Sequence, residues 1–227
     1  MFNHHLSEMI PFAALLLMSS YATYKMPPEQ YPYALTACFV AMVSSSLGIL
    51  RGPEDPYSLV DQILISLMDF ATLPLINIQI YLEANPLYAF IHAGSLIPLG
   101  IDMLVKIFGD ERDHKAAESL KLANNIMNMA SLTAIAIIDD NYLYFFVMLS
   151  YLMAQASLVH GRCKNYKWTE SMHLLCFTLF FFVSSEAVTH KNVFTTKLFR
   201  DCEGPTINLA HLMLLEIISS SSSQRRL

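Results

Sequence analysis

SLVDQILISLMDFATLPLINIQIYL, residues 58–82, is the stretch whose reading decides the fold. It is a long apolar run, and a helix needs only about 20 such residues to cross a hydrocarbon core. Pro74 stands inside it and removes one backbone donor, which predicts a kinked helix rather than two separate elements.

Similar runs recur on both sides. Upstream lie Leu6 to Tyr24 and Tyr31 to Leu50, the second stopped by Arg51-Gly52-Pro53. Downstream lie Pro86 to Phe108, Leu120 to Ile138, Tyr142 to Val159 and Met172 to Val188, with a shorter apolar segment from Thr206 to Ile218. The 227 residues are 54% hydrophobic and 15% charged, against about 25% charged in soluble domains. These observations predict an all-α, polytopic transmembrane bundle of seven or eight helices over residues 1–218, with a disordered polar tail at 219–227. The charged stretch Asp110 to Lys121 reads as a solvated connector or helical extension, and Asp139-Asp140-Asn141 as a turn.

Several classes are excluded or left without support. A net charge of −5, dispersed along the chain, gives no nucleic-acid footprint. The first apolar run lacks a basic leader and a small-residue cleavage pattern, so it reads as a retained span. Four cysteines show no zinc spacing, no cofactor motif is evident and no metal site is expected. Cys163, between Arg162 and Lys164, has a juxtamembrane context compatible with acylation. Counting Lys and Arg over eight spans puts ten on the side of the N-terminus and four opposite, and over seven spans eight against six; the positive-inside rule then makes the N-terminus cytoplasmic. The expected partners are membrane lipids, together with proteins or a second copy docking on small-residue faces such as Ser44–Gly48 and Ala89–Ala93.

Polar residues deep in a span need a partner or a water-filled cavity. Asp69 lies near the middle of residues 58–82, with Gln62 and Ser66 on its helical face and Asn77 beyond Pro74. Lys121, Asn124, Asn128 and Ser131 recur at intervals of three and four and therefore share one stripe, with Asn125 beside it. His92 and Ser95 form a further pair, Asp102 and Lys106 an i,i+4 pair, and Glu186 a second intramembrane carboxylate. The candidate polar site is Asp69, Gln62, Ser66, Asn124, Asn128 and His92, with Asp69 expected to lie inside the bundle against the asparagines.

Two functions follow from this pattern. One is a small transporter, channel or membrane assembly partner, which requires Asp69 and the Asn124–Asn128 stripe to face one cavity. The alternative is a membrane-embedded lipid hydrolase, with Asp69, His92 and Ser95 as candidates, which requires a Ser, His or carboxylate pair converging within hydrogen-bond reach. The sequence carries no HExxH, GxSxG or Gly-rich phosphate loop.

Overall fold

Helices end where the sequence supplies turn chemistry, and the connection Asp139-Asp140-Asn141 shows how. Asp140 adopts a positive φ of 50°, and the Asn141 amide donates to the Ala136 carbonyl at 3.0 Å, which closes the preceding helix with a six-residue C-terminal bond. The Asn141 side chain then accepts from the Leu143 amide at 3.1 Å and caps the next helix.

The computed structural model describes residues 2–50, 59–84, 86–109, 111–164 and 168–189. Among these are eight helices: α1 (Phe2–Lys25), α2 (Pro32–Leu50), α3 (Leu59–Ala84), α4 (Pro86–Gly94), α5 (Ile97–Phe108), α6 (Glu111–Ile138), α7 (Tyr142–Lys164) and α8 (Trp168–Thr189). No strand occurs among the described residues. Five segments are long and apolar enough to cross a membrane: Pro32–Leu50, Gln62–Ala84, Pro86–Phe108, Tyr142–His160 and Thr169–Thr189. The segment from Thr206 to Ile218 and the tail lie outside the described residues.

The helix that decides the fold is also its centre. α3 packs against α2, α4, α5, α6 and α8, and every residue from Ala71 to Tyr81 is buried. It runs through Pro74 as one helix. The proline ring crowds carbonyls of the preceding turn. The Asp69 carbonyl on that turn accepts cross-helix bonds from the Tyr151 hydroxyl and, at 3.3 Å, from the Gln155 amide. Farther along α3, Gln79 staples the loop before α2: its Oε1 accepts from the Tyr33 amide at 3.3 Å, and its Nε2 donates to the Gln30 carbonyl at 3.1 Å.

The remaining helices close around α3. α1 packs on α2 and α8, and α7 packs on α8. The Lys25 ammonium meets the Glu186 carboxylate between α1 and α8. The face carrying Gly48 is filled within the chain by α1, because a Cβ at Gly48 would fall 2.3 Å from the Phe12 ring. Ser44, one turn before, reaches the Leu64 carbonyl of α3 at 3.4 Å.

One alternative in the sequence reading is decided and one boundary differs from it. The charged stretch after Asp110 is the helical extension rather than the connector, and it forms the largely exposed first part of α6. The run from Pro86 to Phe108 is broken between α4 and α5. Gly94 and Ser95 favour a break there, and Pro98 sits in the first turn of α5, where its missing N–H costs nothing. The amides of Ser95 and Leu96 turn back to the carbonyls of His92 and Ala93, at 3.0 and 3.1 Å, as tight three-residue closures.

Candidate functional site

The stripe on α6 faces inward as its spacing requires, and each member reaches a different neighbour. Lys121 meets Asp102 of α5 and Ser66 of α3. Asn124 donates to the Ser95 carbonyl at the α4–α5 break, 2.9 Å away. Asn128 meets Asn77 of α3 and His92 of α4, and Ser131 meets His92 and Tyr81.

The last two members form a directed relay. The Asn77 amide nitrogen lies 3.1 Å from the Asn128 backbone carbonyl, which only accepts, so that nitrogen donates. The Asn128 amide nitrogen lies 2.9 Å from the Asn124 carbonyl and is likewise fixed as a donor. Asn128 therefore presents its oxygen to His92 Nδ1, 2.9 Å away, and Nδ1 must carry a proton. In the neutral ring, Nε2 then holds a lone pair, and it lies 3.0 Å from Ser131 Oγ. The imidazole is an acceptor aimed at a serine hydroxyl, the tautomer a general base needs. The Tyr81 hydroxyl lies 2.6 Å from the same Oγ, and its ring stacks on His92 with centroids 4.5 Å apart. Most other buried serines and threonines bond back to their own helix, as Ser19, Ser45, Thr72 and Ser150 do. The Ser131 hydroxyl instead points across to α3 and α4.

A cavity of about 340 Å³ opens beside this relay, and His92, Asn128 and Ser131 form part of its wall. Tyr88, Ser95 and Asn124 add polar groups, and Ile91 and Met127 form an apolar rim. Ile91 is 56% exposed and Met127 69% exposed, so the mouth lies on the outer surface of the bundle between α4 and α6. His92 itself is only 7% exposed.

The residues expected to form one site fall into three groups. Asn124, Asn128 and His92 belong to the cavity. Ser66 belongs to a buried ionic group, where Asp102 accepts from Lys121 at 2.8 Å, Lys106 at 3.0 Å and Ser66 at 2.7 Å. Gln62 is exposed and contributes its backbone carbonyl to Lys106 at 3.0 Å. Asp69 is buried as expected, but its carboxylate bonds to His173 of α8 at 3.0 Å instead of to the asparagines. The other His173 nitrogen lies 3.0 Å from the Ala154 carbonyl of α7. The reason is rotation about α3. At 3.6 residues per turn, Asp69 is turned roughly 60° from Ser66 and roughly 80° from Asn77. Ser66 and Asn77 face α6, whereas Asp69 faces α7 and α8. Asn125, 1% exposed, faces the interior with neither amide atom bonded to a described residue.

Three participants were missing from the expected set. Ser131 was visible in the stripe, and Asn77 as a loose continuation beyond Pro74. Tyr81 stands four residues after Asn77, as Ser131 stands three after Asn128, and that matched spacing on two helices is the signal that pairs them. Among the described residues no group of three or more metal-ligating side chains converges.

Fold and site together define an all-helical protein with five helices able to span a membrane and a part-buried serine–histidine–asparagine relay opening on an outward cavity. Residues 28–188 match a family described as a domain of unknown function, DUF4791, and the chain belongs to that family. No curated protein and no solved structure matches the chain.

Proposed function

We propose that the chain is a multi-pass membrane protein that hydrolyses an ester within the bilayer, with Ser131 as nucleophile and His92 as general base. The observation that carries this reading is the relay's position: its basic nitrogen is 3.0 Å from a serine oxygen at the wall of a cavity open to the outer surface. A transport function around Asp69 has less support, because Asp69 is 3% exposed and does not line that cavity.

The chemistry balances with water as the only co-reactant. Ser131 Oγ bonds to the ester carbonyl carbon while its proton passes to His92 Nε2. The carbon–oxygen bond to the alcohol then breaks, and His92 returns the proton to the departing oxygen. Water attacks the acyl-serine, gives a proton to His92, and the acid leaves as Oγ is reprotonated. The Tyr81 hydroxyl lies 2.6 Å from Oγ and 2.9 Å from the Ser131 carbonyl, and turning its single proton from that carbonyl to Oγ would stabilise charge that develops there as the serine proton leaves. Asn128 holds the imidazole in the required tautomer.

Depth supports a lipid substrate. His92 is six residues past Pro86 and Ser131 seven before Ile138, so they lie about 9 and 10.5 Å from helix ends on the same side. In a hydrocarbon core about 30 Å thick, that is about a third of the way in from the ester-bearing interface.

The test uses the full-length protein purified in detergent and a fluorophosphonate probe. Ser131 is expected to carry the phosphonyl adduct by peptide mass spectrometry, and His92→Gln to slow labelling by roughly 10²–10⁴-fold. A folded protein that leaves Ser131 unmodified defeats the reading, as does labelling that Ser131→Ala does not remove.

A further inference from the structure

We infer that the substrate is a single-chain lipid ester with an uncharged polar headgroup, of the monoacylglycerol class. This rests on the hydrolase reading above and concerns which ester that site accepts.

The argument begins with what the cavity wall offers. Its polar groups are hydroxyls, amides and one imidazole, from Tyr88, Ser95, Asn124, Asn128, Ser131 and His92. Among the described residues no Lys, Arg, Asp or Glu lines it. The cationic side chains nearest along the stripe are committed elsewhere: Lys121 is one turn before Asn124, but it is 4% exposed and bonded to Asp102, as is Lys106. A phosphate brought into this wall would find no cation, and a choline ammonium no carboxylate. An unpaired charge is costly in so dry a setting. Glycerol hydroxyls, by contrast, donate and accept, and amides and hydroxyls satisfy both roles.

Volume and rim limit the rest of the molecule. At about 340 Å³ the cavity is at the small end of ligand sites, enough for an ester with its polar group but not for two chains. The acyl chain has an apolar path outward, since Ile91 and Met127 of the rim are both more than half exposed. A glycerol monoester could place its carbonyl at Ser131, its hydroxyls against the amides and its chain along the outer faces of α4 and α6.

The experiment compares fatty-acid release by the full-length protein in mixed micelles from three substrates with the same acyl chain: monoacylglycerol, lysophosphatidylcholine and lysophosphatidate. Monoacylglycerol is expected to be cleaved roughly tenfold or more faster than either charged lipid, and Ser131→Ala to abolish the release. Cleavage of a lysophospholipid at an equal or higher rate, also lost in Ser131→Ala, overturns the substrate class and leaves the hydrolase reading standing. Fluorophosphonate labelling of Ser131 without cleavage of monoacylglycerol likewise overturns the substrate class alone. Absence of both labelling and cleavage in folded protein overturns the two together.

Discussion

At the residue scale, Asn128 decides whether His92 is a base or only a packed ring. Its oxygen receives the Nδ1 proton, and its nitrogen is tied to the Asn124 carbonyl, so the orientation is set by backbone atoms that only accept. Asn128→Leu removes the acceptor and lets the ring place its proton on Nε2, where it would face Ser131 without accepting from it. The expected outcome is a fall of roughly 10²–10⁴-fold in Ser131 labelling, with a stability loss of about 1–3 kcal/mol from the unpaired donors left behind. Asn128→Asp keeps an oxygen toward Nδ1, but it sets its other oxygen against the Asn124 carbonyl and adds a buried charge, so it should lower stability while retaining the tautomer. Its labelling rate should stay within roughly tenfold of the parent, since the tautomer is retained. Labelling rates measured beside thermal unfolding separate the two roles. If both variants lose labelling only in proportion to folded protein, Asn128 is a packing residue and the relay argument fails.

At the element scale, the ionic group of α3, α5 and α6 sets how these helices are held. Asp102 is 2% exposed and Lys121 4%, with Lys121 Nζ also 4.4 Å from the Phe70 ring centroid. A buried pair adds little net stability over an apolar replacement, but removing one partner strands a charge. Lys121→Met should therefore destabilise by about 3–5 kcal/mol. Asp102→Leu should cost at least as much, because it leaves two lysines facing each other. The double variant Asp102→Leu/Lys121→Met should be less damaged than the sum of the singles, and thermal unfolding of the four proteins in detergent gives the coupling. Additive losses would mean that the pair is not a unit. This group also shows what was legible beforehand. The spacing of Lys121, Asn124, Asn128 and Ser131 gave the inward face of α6 correctly, because helical periodicity is a local property. The Asp102–Lys106 pair was legible for the same reason. The Asp102–Lys121 contact was not, since it joins two helices and the spacing along one says nothing of what the other brings against it. The Asp69 partner was missed because depth along a helix can be counted, whereas the direction a central helix turns each side chain depends on five neighbours.

At the scale of the whole molecule, the fold class was the most legible feature, because apolar runs bounded by Pro, Gly and charge need no tertiary information. Helices surrounded by lipid gain little from hydrophobic contrast and are joined by close packing and polar contacts. The bundle matches that expectation: Phe12 sits on Gly48, and α3 joins its neighbours through Ser66, Asp69, Asn77, Gln79 and Tyr81. Five of the described segments are long and apolar enough to cross a membrane; if α1 and α6 cross as well and α4 with α5 makes one pass, the ends of α1, α3 and α6 share one side. That is the side near which His92 and Ser131 sit. The Lys and Arg count is ten against four over eight passes and eight against six over seven; read by the positive-inside rule, the larger set marks the N-terminal side as cytoplasmic, and the relay is then expected near the opposite face. Single cysteines provide the test, in a background where Cys38, Cys163, Cys176 and Cys202 are replaced. Glu29→Cys, before α2, and Asp139→Cys, after α6, replace exposed residues on the relay side, while Lys115→Cys replaces an exposed residue near the start of α6. In cells, or in sealed vesicles of known sidedness, a membrane-impermeant maleimide applied from the non-cytoplasmic side should modify the first two and spare the third until the membrane is opened. The reverse pattern would put the relay at the cytoplasmic face and overturn the orientation while leaving the chemistry untouched. Labelling of all three from one side would contradict the passage of α6 across the membrane, and with it the placement of Ser131 about a third of the way into the bilayer core.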